Sequence, residues 1–395
     1  MIDTLTASDG IWTSTAILAA VTFAAAWAAT RLIMSRLQIY DRPNARSAHV
    51  EPTPKAGGLA VVGVWIFAVF VAYSLNGEAA FELPEPAIWT FLALVVFMCM
   101  VSLVDDVMGM AALLKLAFQA LVASIFVLAV ASLQAFPVPG HGDVELGWFG
   151  PVLTIVWIVG FMNVFNFMDG INGLAAGVAA LASLALAGLA AAAGADLVFL
   201  CAVTLAPALA GFLVFNFPNG RVFLGDNGSQ PIGFALAALA VIGAQPAAPE
   251  ATGSAIPFLA VALLFLPFLF DVAATLGHRL TRKQNLLEAH NEHLYQILCR
   301  SGYAHAEVAC VYYLLTGACA VGAALMVRTA PADQLILLLA FIPLAAALAL
   351  GVFVQGRRCG VIAELRPRER PAERLEPTHE ADNFGELEGP VRAAE

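Results

Sequence analysis

The chain has 395 residues, of which 61% are hydrophobic and 12% are charged, and its formal net charge is −10. A soluble protein of this length needs far more charge to cover its surface, so the composition excludes a soluble globular fold. Runs of about twenty apolar residues recur along the chain, and each is long enough to cross a bilayer. The six cysteines show no paired spacing, which favours reduced thiols over disulfides.

The first apolar run, Ile11 to Ile33, has no basic segment before it and no small-residue cleavage site. We therefore expect a retained membrane helix rather than a cleaved signal peptide. Taken in chain order, the apolar runs predict an all-α integral membrane bundle of about eleven transmembrane helices. Their centres lie near Phe23, Ile66, Leu94, Phe126, Val156, Leu184, Val203, Leu239, Leu263, Gly317 and Leu344.

Lys and Arg accumulate on the cytoplasmic loops of membrane proteins, and this bias predicts the orientation. With the N-terminus in the periplasm, eighteen of the nineteen basic residues lie on the inner side, and only Arg328 lies outside. The C-terminus is then cytoplasmic. The sequence thus predicts a transmembrane domain over residues 1–355, with cytoplasmic loops that are candidates for substrate contact. The tail over residues 356–395 mixes charge and proline and is expected to be disordered.

The predicted third span ends in two adjacent carboxylates, Asp105 and Asp106. Neighbouring side chains on a helix point about 100° apart, so the two are expected to have different tasks. A carboxylate in this place could bind a metal or take a proton from an incoming phosphate. The structural alternative is that one of them only solvates the helix end.

The predicted fifth span ends in Asn163, Asn166 and Asp169, which recur every three residues and form a polar arc. Such groups are costly on an apolar span unless they face a partner or a wet cavity. Gly170 and Gly173 then free the backbone for a turn that could line a substrate. Hydrogen bonding between helices is the alternative.

Asp226 follows the predicted seventh span and has glycines close by on both sides, Gly225 and Gly228. These glycines allow a ligand to approach the backbone closely. Mg²⁺ takes one or two carboxylates and fills its other positions with water and substrate phosphates, which makes Asp226 a candidate ligand. A plain turn is the alternative.

The predicted ninth span carries Asp271 near its inner end and is followed by Arg279, His290 and His293. The histidine spacing differs from that of zinc peptidases, and imidazoles beside cations suit an anionic substrate. The alternative is a solvated helix on the membrane surface. Residues 41–58 add cations that could hold phosphates, although the positive-inside bias explains those cations equally well.

Carboxylates, amides, histidines and cations on five inner segments suit phosphoryl transfer at the cytosolic face. A transporter of an anionic or lipid-linked sugar is the rival hypothesis. It is disfavoured because transporters usually set ionisable groups near the bilayer midplane and in repeated halves. A scaffold without catalytic activity would have little use for four carboxylates at one face.

Five motifs occur in order: DRPNARSAH…PTPKAGG, SLVDD, NVFNFMDGINGLAAG, VFLGDNGS and AHNEHLYQ. This set, from about Asp41 to Gln296, resembles the polyprenyl-phosphate N-acetylhexosamine-1-phosphate transferases of glycosyltransferase family 4. The family includes the undecaprenyl-phosphate GlcNAc-1-phosphate transferase and the phospho-MurNAc-pentapeptide transferase of bacteria. Each motif is modest by itself, whereas the ordered set is highly specific.

The resemblance implies that undecaprenyl phosphate attacks a UDP-N-acetylhexosamine and releases UMP with Mg²⁺, or Mn²⁺, as cofactor. It implies a multi-pass protein of the bacterial inner membrane with its active site facing the cytoplasm. The expected partners are these two substrates and the lipid bilayer, with a homodimer as the candidate assembly and no nucleic acid. Asp105 would deprotonate the lipid phosphate, with a covalent intermediate on this residue as the open alternative. Asp106 would help hold metal and phosphate, and Asp226 would ligate Mg²⁺. The remaining candidate residues would bind the nucleotide or diphosphate: Asn166, Asp169, Asn172, Arg279, His290 and His293.

Two departures from the family pattern stand out. The usual DGxDG motif has Asn172 in place of its second aspartate, so an ionised role is lost there. We expect Asn172→Asp to change activity only modestly. The HxxHLYQ segment is more similar to the branch that starts O-antigen chains, often with 6-deoxy-HexNAc sugars.

Overall fold

The computed structural model describes residues 2–37, 39–41, 52–76, 83–245, 255–284 and 291–364. His290 lies outside these ranges, as do residues 42–51 of the first inner loop. Of the predicted tail 356–395, only residues 356–364 are described, and they are mostly helical.

In the described ranges the chain forms fifteen helices and four short strands. Long apolar runs become helices because only a helix satisfies its own backbone hydrogen bonds inside a bilayer. The elements, in chain order, are α1 (Ile2–Arg36), β1 (Tyr40–Asp41), β2 (Thr53–Pro54), α2 (Gly57–Asn76), α3 (Glu85–Met108), α4 (Ala112–Ala129), β3 (Ala135–Val138), β4 (Gly142–Glu145), α5 (Phe149–Phe167), α6 (Leu174–Ala193), α7 (Asp196–Asn216), α8 (Asp226–Gly243), α9 (Phe258–Leu264), α10 (Leu266–Thr281), α11 (Leu294–Arg300), α12 (His305–Met326), α13 (Pro331–Ala340), α14 (Ile342–Arg358) and α15 (Val361–Glu364).

Nine helical segments in the described part of the chain are long and apolar enough to cross a membrane. The bent pair α9 and α10 makes a tenth candidate span. Helix α8, which includes the predicted span centre Leu239, is not among them because its first turn is polar. The prediction of an all-helical, multi-pass membrane protein is confirmed. The count of about eleven spans and the orientation stay predictions.

Helices α9 and α10 meet at a bend of 73° around Phe265. Pro267 at the start of α10 has no backbone N–H, so the helix of α9 cannot continue through it with regular hydrogen bonds. The bend sends α10 in a new direction, and its later residues contact α11 and α12.

Helix α8 lies in the core, and every residue from Asn227 to Gly243 is buried. It packs against α2, α3 and α5. Small residues allow this close approach: a Cβ added at Gly233 would lie 3.2 Å from Cα of Met162 on α5. This packing brings Asp226, the first residue of α8, beside the ends of α3 and α5.

The strands β1 and β2 pair antiparallel, and the chain after β2 runs along the loop before α8. Phe223 N donates to Pro54 O at 2.7 Å, and Gly57 N donates to Phe223 O at 3.0 Å. These bonds fix Lys55 next to Gly225.

Candidate active site

A polar cavity of about 1240 Å³ lies where the ends of α3, α5 and α7 meet α8, α11 and α12. Four predicted site residues line it: Asp106, Asp169, Asn172 and Asp226. Residues outside the predicted set also line it, among them Lys55, Asn216, Arg221, Gln296, Arg300 and His305. The cavity therefore gathers carboxylates, amides and cations from distant parts of the chain.

Asp105 and Asp106 at the end of α3 have different partners, as their angular separation on the helix predicts. Asp105 is buried, accepts Met110 N at 2.7 Å and forms an ion pair with Lys115. Asp106 Oδ2 accepts two bonds from Asn227, from its backbone N at 2.8 Å and from Nδ2 at 2.7 Å. Asp106 Oδ1 lies 3.5 Å from Lys55 Nζ.

Lys115, near the start of α4, links two of the carboxylates. Its Nζ pairs with Asp105 and lies 3.3 Å from Asp226 Oδ2. In the sequence this lysine was one cation among many that the positive-inside bias explains, so the pattern gave no reason to single it out. Only the packing of α4 against α3 identifies it as part of the site.

Asp226 begins α8 immediately after Gly225, whose φ is 74°. That left-handed conformation favours glycine, and a Cβ there would collide with the carbonyl oxygen of Lys55. Asn166 Nδ2 donates to Asp226 Oδ1 at 2.9 Å and to Ser229 Oγ at 2.8 Å. Asn166 thereby ties the end of α5 to the carboxylate that begins α8.

The residues of the predicted polar arc on α5 have different surroundings. Asn163 Nδ2 donates to Gln119 Oε1 at 2.8 Å, so this residue joins α5 to α4 by hydrogen bonding between helices. Asn166 and Asp169 lie nearer the cavity. Burial raises the pKa of Asp169 well above its usual range, and the negative charges of Asp226 and Asp106 raise it further. Asp169 therefore holds its proton more tightly than an exposed carboxyl group does.

The donor set fits a magnesium ion. Among the described residues, no group of three or more His, Cys, Asp or Glu side chains is arranged to hold a metal. Mg²⁺ needs only one or two carboxylates from the protein, because water and phosphate oxygens complete its shell. Asp106 and Asp226 both line the cavity and offer such oxygens.

Asn172 lies in the cavity wall, and its amide is used within the protein. Its Nδ2 donates to Pro218 O at 3.0 Å, and Gly220 packs directly against its side chain. Asn216 adds a second tie in this region, because its Oδ1 accepts Gly173 N at 2.7 Å and its Nδ2 donates to Val222 O at 2.8 Å. Amides thus join the turn after α5 to the loop before α8.

Arg279 and His293 do not line the cavity in the described structure. Arg279 is buried and pairs with Glu292 at 3.3 Å, while His293 Nδ1 lies 3.1 Å from Asp271 Oδ1. Gln296 and Arg300, on the next turns of α11, occupy the wall instead. The sequence pattern does not distinguish the residues of this region that line the cavity from those that do not.

A model of glycosyl transferase family 4 matches residues 88–244, which include both aspartates of α3, the turn after α5 and the start of α8. The decaprenyl-phosphate N-acetylglucosaminephosphotransferase of Mycobacterium tuberculosis strain H37Rv is 33% identical over 336 residues, covering 80% of this chain and 82% of that protein. The enzyme of the same name from Mycobacterium leprae is 30% identical, covering 74% and 78%. The probable undecaprenyl-phosphate N-acetylglucosaminyl 1-phosphate transferase of Bacillus subtilis is 26% identical, covering 72% and 76%. The chain therefore belongs to glycosyl transferase family 4, and the predicted enzyme class, a phospho-N-acetylhexosamine transferase, is confirmed.

Proposed function

We propose that this enzyme transfers an N-acetylhexosamine 1-phosphate from its UDP derivative to a polyprenyl phosphate in the inner leaflet, with release of UMP. An oxygen of the lipid phosphate forms a bond to the β-phosphorus. The bond from that phosphorus to the bridging oxygen breaks, and UMP leaves. The observation that carries this proposal is the meeting of Asp105 and Asp226 on Lys115 beside a cavity large enough for a nucleotide sugar.

Each carboxylate has a distinct proposed task in this reaction. Asp105 accepts the proton of the lipid phosphate, and Lys115 holds Asp105 in its charged form and in place. Asp106 and Asp226 would hold Mg²⁺, which when bound neutralises phosphate charge. Asn166 keeps Asp226 oriented through its hydrogen bond, and Asp169 borders the nucleotide. The predicted contact of His293 and Arg279 with the diphosphate remains a proposal, and Gln296 and Arg300 join it as cavity-lining candidates.

The short helix α11 supports a lipid acceptor. Leu294 and Leu298 line an apolar cavity of about 430 Å³ between α10, α12 and α14, while Gln296 and Arg300 line the polar cavity. One helix thus separates an apolar space from the candidate active site. We place the first prenyl units of the acceptor in the apolar cavity, with the phosphate reaching past α11.

The names of the relatives support the substrates at a coarser level. They specify decaprenyl or undecaprenyl phosphate and N-acetylglucosamine, so we propose a long polyprenyl phosphate and test UDP-N-acetylglucosamine first. Undecaprenyl phosphate as the carrier, a 6-deoxy sugar and a role in O-antigen initiation stay predictions. So does the homodimer.

The proposed topology keeps the N-terminus in the periplasm and the active site in the cytoplasm. It counts α8 as a span, which brings the total to eleven. The transferase domain covers residues 1–355 and the tail covers 356–395. The distribution of basic residues supports this arrangement.

Purified protein supplied with Mg²⁺, a panel of UDP-sugars and undecaprenyl or decaprenyl phosphate tests the proposal. We expect UMP release that requires both substrates, and the best pair identifies the sugar and the carrier. No UMP from any pair, with folded protein, contradicts the proposal.

A further inference from the structure

Asp271 on α10 is a buried carboxylate that the proposed reaction does not use. Its side chain is 1% exposed. A buried carboxylate is costly unless hydrogen bonds compensate for the lost water, so its partners reveal its task.

Five donors converge on this carboxylate from three helices and the segment before α11. Oδ1 accepts Leu294 N at 3.0 Å, His293 Nδ1 at 3.1 Å and Thr275 Oγ1 at 3.3 Å. Oδ2 accepts Tyr295 N at 3.3 Å and the hydroxyl of Tyr312 on α12. A carboxylate offers about four lone-pair sites, so this one is saturated. It holds the first backbone N–H groups of α11, which have no partner within the helix.

The same contacts fix the histidine ring. Because an ionised carboxylate only accepts, the hydrogen bond requires a proton on Nδ1 of His293. The Nε2 atom is then defined as the atom that can face a substrate oxygen. Phe167 and Tyr295 flank the ring, with centroid distances of 5.9 and 5.8 Å.

From α11 the contacts continue to the cavity. Tyr295 Oη donates to Phe167 O at 3.0 Å and packs against Gly170. Tyr295 therefore contacts the chain both before and after Asp169. His293 N donates to Gln296 Oε1 at 3.1 Å, and Gln296 lines the cavity.

We propose that Asp271 is a positioning residue for substrate binding: it holds the start of α11 so that His293, Tyr295 and Gln296 set the diphosphate side of the cavity. The proposal rests on the proposed function for the identity of the substrate. A residue that only stabilises the fold would lower activity in proportion to the folded protein lost and would act independently of His293.

The test compares purified full-length wild type, Asp271→Asn, His293→Ala and the double variant in UMP release at varied UDP-sugar concentration. Asparagine keeps the volume but replaces one accepting oxygen with a donor that faces other donors. We expect kcat/KM for the UDP-sugar to fall about 10- to 100-fold, the range seen for residues that orient a metal-ligating histidine.

The double variant separates positioning from folding. If Asp271 acts through His293, the double variant is no worse than the poorer single variant. Losses that multiply overturn the proposal. Asp333→Asn, the same chemical change at an exposed residue in the first turn of α13, serves as control and should retain wild-type kinetics.

Hydrogen exchange over residues 291–300 gives a readout that needs no activity. In Asp271→Asn the amides of Leu294 and Tyr295 should exchange faster than in wild type, and unchanged exchange overturns the proposal. If wild type releases no UMP, the proposed function fails while this measurement still decides the positioning role.

If Asp271→Asn does not fold, Tyr312→Phe removes one donor at constant size. A several-fold rise in the KM for the UDP-sugar, absent in the His293→Ala background, is then expected, and multiplicative losses again overturn the proposal.

Discussion

Lys115 Nζ lies 3.3 Å from Asp226 Oδ2, although 111 residues separate the two along the chain. The same ammonium pairs with Asp105, so one cation joins the proposed base to the proposed metal ligand. The ends of α3, α4 and α8 are therefore held together by charge as well as by packing.

Replacing Lys115 should remove most activity. Lys115→Met leaves Asp105 and Asp226 facing each other without a cation, which raises the proton affinity of the base and displaces the metal ligand. We expect kcat to fall about 100-fold or more, as for loss of a group acting on the reacting charge. Steady-state UMP release measures this effect. Arg358→Gln removes an exposed cation at the end of α14 and should leave kcat unchanged.

Asp105→Asn and Asp226→Asn should each abolish turnover while the protein remains monodisperse. An amide cannot accept the proton of the lipid phosphate, and general-base catalysis contributes about 100- to 10,000-fold. Asp226→Asn should in addition bind Mg²⁺ more weakly than wild type in a direct binding measurement. Near-normal turnover in either variant would show that the assigned role is wrong.

Asp169→Asn should weaken the pH dependence of stability and lower the transfer activity. The pKa of Asp169 is raised by burial and by Asp226 and Asp106, so the folded protein binds this proton more tightly than the unfolded chain does. The free energy of unfolding therefore falls as pH rises above the unfolded pKa of about 4, and it keeps falling until the pH reaches the folded pKa.

In metal-free buffer, Asp169→Asn should lose less stability than wild type between about pH 5 and about pH 8, because the variant lacks this titrating carboxyl group. Thermal unfolding at several pH values measures the difference. Transfer activity should fall. Parallel pH curves for the two proteins would contradict the assignment of a raised pKa.

Asn172→Asp should be more harmful than the sequence indicates. The amide of Asn172 donates to Pro218 O, whereas an aspartate there would set a carboxylate against that carbonyl oxygen. We now expect a lower unfolding temperature together with a several-fold loss of activity, measured by thermal unfolding and UMP release. A gain of activity with unchanged stability would contradict this expectation and would show that the missing aspartate is a handicap.

Leu298→Trp should affect the acceptor lipid selectively. The larger ring would fill part of the apolar cavity between α10, α12 and α14. The KM for polyprenyl phosphate should rise several-fold while the KM for the UDP-sugar is retained. An equal rise in both constants would instead indicate a displaced α11.

The sequence was informative where local chemistry decides the outcome. Apolar runs located the helices, and the adjacent positions of Asp105 and Asp106 on α3 predicted that the two carboxylates have different partners. It was uninformative where one feature had two explanations. The positive-inside bias explains Lys115 as well as a role in the site does. The polar arc on α5 does not distinguish Asn163, which bonds to α4, from Asn166, which bonds to Asp226.

Long-range pairing was the second limit. The contact of Asp271 with His293 spans 22 residues and joins α10 to the residue just before α11. One proline near a helix start does not predict a 73° bend. The pairing of Arg279 with Glu292 likewise depends on how the segment before α11 folds back on α10.

The fate of the β-phosphorus tests the central claim most directly. With UDP-N-acetylglucosamine labelled with ³²P at the β-position, polyprenyl phosphate and Mg²⁺, the wild-type protein should move the label into the lipid fraction and leave unlabelled UMP in water. Asp226→Asn should leave the label in water. Labelled UDP as the product would mean that the sugar moves without its phosphate and would contradict the proposed reaction.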